Sequence, residues 1–201
     1  MTDTRCPANT SRRVTPRQNG FSMVEALITV LIFAIGLLSV AGLQAVAKRS
    51  VYESAQRTTA AQLGNALLEK MRANPRALAT YVTAGTLGGG SLGAAPAPCD
   101  DPLDPCSADQ LARVDLWRWE QQLDGLNSLV DGQAAGGLLT PSACIRGPVD
   151  GSAGMYTLVV AWQGSATQTN EVNDACGAGR YGADDATKRI AVFSTYLDPL
   201  S

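Results

Sequence analysis

The 201-residue sequence contains no histidine. That absence removes Ser/His/Asp and Cys/His nucleophilic sites, imidazole zinc sites and any histidine proton shuttle. Catalysis is therefore not expected, and no paired carboxylates among aromatics suggest a sugar cleft. Excess positive charge is lacking too. With 16 Lys and Arg against 18 Asp and Glu, the net charge is -2, so nothing points to the basic surface that nucleic acid requires. Charge disappears altogether from residues 26–47, whereas the 20 residues before Phe21 carry Arg5, Arg12, Arg13 and Arg17 against Asp3 alone. Proline is also missing from that apolar run.

What is there is an apolar segment of membrane length. Twenty-two residues at about 1.5 Å each make a helix of about 33 Å, close to the ~30 Å hydrocarbon core. A secretory signal peptide has a shorter apolar stretch of roughly 7–15 residues and a small-residue cleavage site, and no A-x-A pattern closes this run. The anchor is expected to be retained, and the leader arginines, against Lys48, Arg49 and Arg57 beyond the span, favour a cytoplasmic N-terminus. Glu25 stands out, because a carboxylate in an apolar helix needs a partner unless headgroups solvate it at the boundary. If the chain is cut between Gly20 and Phe21, Phe21 gains an α-ammonium four residues before Glu25. In a helix these groups share a face, and the carboxylate can pair within the subunit or with an adjacent copy.

A basic leader, Gly20 directly before Phe21, Glu25 four residues on and an unbroken apolar helix resemble the class III signal of type IV prepilins and type II secretion pseudopilins. Ile35–Gln44 and Lys70-Met71-Arg72-Ala73-Asn74-Pro75 followed by Tyr81 are similar to the PilV family of minor type IV pilins. The resemblance is closest over residues 20–81. It implies cleavage after Gly20 by a prepilin peptidase, N-methylation of Phe21, and docking of Glu25 against a neighbouring subunit. Its expected partners are other minor and major pilins, the inner membrane before assembly, and a tip-associated adhesin. No cofactor is implied. Major pilins commonly carry a proline in the apolar helix; Gly36 and Gly42 are the weak points here.

The rest of the chain reads as an α+β head. Leu63, Leu67 and Met71, four residues apart, predict that the helix continues until Pro75 stops it. Gly85–Gly93 reads as a flexible surface connection, since no Gly-Lys-Ser/Thr follows. Ser107 and Gln110 make a capping box, and Leu116, Trp119, Leu123, Leu126 and Val130 follow at helical spacing. Trp119 reads as core, while Trp117 stays open between core and a binding surface. Strands are expected over 138–146, 155–163 and 188–197, forming an antiparallel sheet that covers the exposed half of the long helix. Asp174, Asp184 and Asp185, and likewise Asp100, Asp101 and Asp104, lack the spacing of a calcium loop and read as solvated acids.

The expected organisation is a cleaved leader over 1–20, a membrane and assembly helix over 21–47, a periplasmic half-helix over 48–74, and a head over 75–201. Cys6 falls in the leader. Cys99, Cys106, Cys144 and Cys176 would lie in the oxidising periplasm, and with no C-x-x-C spacing and no histidine, disulfides are favoured over metal. Three pairings are open; the short Pro-containing loop favours Cys99–Cys106, leaving Cys144–Cys176. With these features, the resemblance implies a type IV pilin fold, inserted in the inner membrane with the head in the periplasm and then moved to the pilus and cell surface. Two rivals are a minor pseudopilin of type II secretion, and an envelope adhesin or enzyme held by an uncleaved signal anchor.

Overall fold

A computed structural model describes residues 20–82, 84–101, 103–134, 136–168 and 174–200. The leader arginines, Asp3 and Cys6 lie outside the described residues. Helix α1 (Met23–Ala73) opens the structure. The chain divides between Val46 and Ala47 into two compact units. In the first, every described residue is exposed.

In the second unit, α1 buries Gln56, Ala60, Gly64, Leu67, Leu68 and Met71, which recur at three- and four-residue intervals and so line one face. Lys70 and Arg72 occupy the last turn, where the helix dipole favours cations. The helix ends before Asn74 (φ -130°, ψ 61°), because Pro75 pushes the preceding residue out of the α region. A single turn over Pro75–Ala77 and helix α2 (Leu78–Val82) lead into β1 (Thr86–Leu87).

Helix α3 (Ala108–Leu123) begins at a complete capping box: Ser107 Oγ accepts from Gln110 N–H, and Gln110 Oε1 accepts from Ser107 N–H. It stops sooner than the apolar spacing predicts. Gly125 (φ +75°) donates to Gln122 O and Leu126 to Gln121 O, the two bonds of a Schellman ending. Leu126 and Val130, expected on this helix, are therefore outside it and exposed. A small hairpin follows, β2 (Leu129–Val130) and β3 (Gln133–Ala134), turned at Asp131-Gly132 with both φ positive, as a type I′ turn requires.

The main sheet comprises β1, β4 (Ser142–Arg146), β5 (Gly154–Gln163) and β6 (Lys188–Leu197), in the order β1-β4-β5-β6 and antiparallel throughout. The fold is thus a long N-terminal apolar helix followed by a small antiparallel sheet. The strand expected over 138–146 starts only at Ser142, because residues 137–139 are held by Gln56: its amide donates to Gly137 O at 3.3 Å and accepts from Leu139 N–H at 3.1 Å. Period-2 alternation turns Ala143, Ile145, Tyr156, Leu158, Val160 and Trp162 toward the core shared with α1 and α3. Trp119 is wholly buried there, and its indole N–H donates to Leu63 O at 2.8 Å, tying α3 to α1. Each large aliphatic side chain buried in this core contributes about 1.5–3 kcal/mol.

Candidate functional site

Gly20 and Phe21 precede the helix, and Phe21 is 83% exposed. The first helical hydrogen bond runs from Ala26 N–H to Ser22 O, which places Ser22 at the cap and Phe21 outside the helix. In this chain, with residues 1–20 attached, Phe21 and Glu25 therefore do not share a helical turn as the four-residue spacing suggested. Glu25 lies in the first turn of α1, exposed, with no ionic or hydrogen-bonding partner among the described residues.

Beyond Glu25 the helix is apolar on every side. Leu27, Val30, Phe33, Leu38 and Leu43 are between 66% and 77% exposed, and they point in different directions round the axis. A helix apolar all round needs lipid or other helices as its surroundings. The segment is long and apolar enough to cross a membrane. Its hydroxyls are satisfied inside the helix, Thr29 Oγ1 donating to Ala26 O at 2.8 Å and Ser39 Oγ to Ile35 O at 3.0 Å, as a solvent without hydrogen-bonding groups demands.

In the second unit the structure joins Cys99 to Cys106 and Cys144 to Cys176. The outward face of β4 presents Ser142, Cys144 and Arg146 at alternate positions, and all three hold the segment between β5 and β6. Ser142 Oγ accepts from Arg180 at 2.8 Å, Cys144 carries the disulfide to Cys176, and Arg146 grips both carboxylate oxygens of Asp174 at 2.5 and 2.8 Å. Arg146, joined by the Cys176 N–H, outweighs the burial that opposes ionisation and lowers the Asp174 pKa to about 2. Asp185 accepts from the N–H groups of Gly179 and Tyr181, and Asp101 from Leu103. Several acids read as merely solvated thus organise their own loops. Among the described residues, no group of three or more His, Cys, Asp or Glu side chains is placed to hold a metal ion.

The glycine-rich run also differs from the expectation of a flexible connection. Glu120, fully buried on α3, accepts from Gly88 N–H (2.7 Å), Ser91 N–H (2.9 Å), Ser91 Oγ (2.5 Å) and Leu92 N–H (3.0 Å). One turn later, Asp124 accepts from Gly89 and Gly90 N–H at 2.8 and 2.9 Å. Gly88 (φ +110°), Gly89 and Gly90 (both φ +72°) adopt left-handed conformations that turn their N–H groups toward these two carboxylates. Burial disfavours the Glu120 carboxylate, but the Ser91 hydroxyl and the three backbone donors more than offset it and hold the pKa below the ordinary value. A legible signal existed: Glu120 lies four residues after Leu116 on the apolar face of the helix.

Two family matches cover adjoining stretches. The prokaryotic N-terminal methylation motif matches residues 15–41, which include Gly20, Phe21 and Glu25. The Tt1218-like family, described as type IV pilin Tt1218, matches residues 42–117, from the apolar helix into α3. No curated protein and no solved structure matches the chain. Over residues 15–117, then, the chain is similar first to the prokaryotic N-terminal methylation motif and then to the model described as type IV pilin Tt1218.

Proposed function

We propose that this protein is a PilV-like minor type IV pilin: a structural subunit that is inserted in the inner membrane with its head in the periplasm, takes part in pilus initiation and enters the pilus or its tip complex. The observation that carries this reading is the pairing of Gly20, Phe21 and the unpartnered Glu25 with a helix that is apolar on every side. Prepilin peptidase removes residues 1–20, and methylation follows on the new amine of Phe21. That amine is then the ammonium available to Glu25, on the same subunit or on a neighbouring pilin, when the helix moves from lipid into a helix bundle. Four cysteines joined as Cys99–Cys106 and Cys144–Cys176 suit a head that folds in an oxidising compartment. The same head serves a type II secretion pseudopilin, whose filament is short and periplasmic; recovery from sheared surface pili separates the two.

Glu25→Val tests the assembly role. The variant should insert and fold as the wild type does, since Glu25 is exposed and has no hydrogen-bonding or ionic partner among the described residues, yet be lost from sheared pili. Wild-type amounts in the pilus fraction would contradict a docking role for Glu25.

A further inference from the structure

Between the end of α2 and the exposed side of α3 lies an open cavity of about 340 Å³, walled by Leu92, Ala94, Pro96, Leu116 and Trp117, with Arg113 on its lining. Trp117 is fixed there by its indole N–H, which donates to Gly93 O at 3.2 Å. The Arg113 side chain makes no ion pair or hydrogen bond among the described residues. The cavity is thus a mainly apolar hollow, edged by Thr80, whose hydroxyl donates to the Asp109 carboxylate, and by the Arg113 guanidinium.

The chain itself carries a knob of matching chemistry. The loop closed by Cys99–Cys106 holds Leu103, 92% exposed, and Leu103 N–H donates to Asp101 Oδ1 at 2.8 Å. Asp100 and Asp104 flank it and are exposed. Knob and hollow are neighbours along the chain: Pro96 forms a wall of the cavity, Cys99 and Cys106 bound the loop, and Arg113 follows in the second turn of α3. A knob beside its own complementary hollow can be exchanged between two copies about a two-fold axis, each giving one leucine and receiving one.

We propose that two copies of this chain pair through their heads, Leu103 of each entering the Leu92/Leu116/Trp117 hollow of the other, with the loop aspartates against Arg113. Two leucines bury too little surface to hold the heads together in dilute solution, where association also costs translational freedom. Anchoring both copies in one membrane raises their effective concentration and favours the pairing there. Of the functional reading, the proposal uses only the membrane anchor. A failure of this pairing leaves the processing and docking of the N-terminal segment untouched.

The test places a photoreactive benzophenone amino acid at Ala97, which is exposed between the cavity wall and the loop, in the full-length protein in its native membrane. Irradiation should yield a species of twice the protein's mass, with the cross-link joining two copies of this chain. Leu103→Lys and Arg113→Glu should each abolish it. Arg113→Glu combined with Asp100→Arg and Asp104→Arg should restore it, which a general loss of folding would not allow. Absence of the doubled species, its persistence in both single variants, or cross-linking to a different protein would each overturn the proposal.

Discussion

Asp174 shows how one side chain can couple a loop to a sheet. Its carboxylate meets Arg146 on β4 and the N–H of Cys176, so it holds the disulfide-bearing segment in place from two sides. Its pKa, about 2, lies below the ordinary 3.8, so the unfolded state binds the proton more tightly. The sign follows: the stabilisation is complete above the ordinary value and is lost as the pH falls through the folded value. Denaturant unfolding of wild type and Asp174→Asn should differ most above about pH 4, and the gap should narrow towards about pH 2. A gap that is constant over that range would mean the carboxylate's charge does not stabilise the fold. Arg146 and Asp174 could not be paired from the sequence, because 28 residues separate them.

The elements were legible where a local rule acts alone, and illegible where two rules compete. The capping box at Ser107, the stop at Pro75 and the alternation of β5 are each set by neighbours in sequence. The C-terminus of α3 is not, since Leu126 and Val130 keep helical spacing while Gly125 ends the helix. The glycine run reads as flexible until Glu120 and Asp124 arrive from another element to gather its N–H groups. Gly64 belongs to the same class. Nothing near it in sequence explains a glycine in mid-helix, yet a Cβ there would run into the ring of Phe193 on β6, so the glycine sets how closely α1 and the sheet approach. Gly64→Ala gains about 1 kcal/mol of helix propensity. Overpacking against a partly buried ring that lies against the core costs about 1–3 kcal/mol, and this term should prevail. A lower thermal midpoint in Gly64→Ala, recovered in the double variant Gly64→Ala/Phe193→Leu, is the expected result; a raised midpoint in the single variant would show that the ring moves aside freely.

The molecule as a whole combines two kinds of surface. Residues from Ala47 onward fold round their own core, with the inner face of the sheet against α1 and α3. The described residues before Ala47 bury nothing. A helix apolar on every side needs lipid or other helices as its surroundings, and Glu25 is the ionisable side chain within it. The central claim is that this segment is an assembly element released by cleavage, and that claim has a direct chemical signature. Mass spectrometry of the N-terminal peptide of the protein isolated from its native membrane should begin at Phe21 and carry one added methyl group. A peptide that begins at Met1, with the leader arginines still attached, would contradict it and identify the segment as a permanent signal anchor.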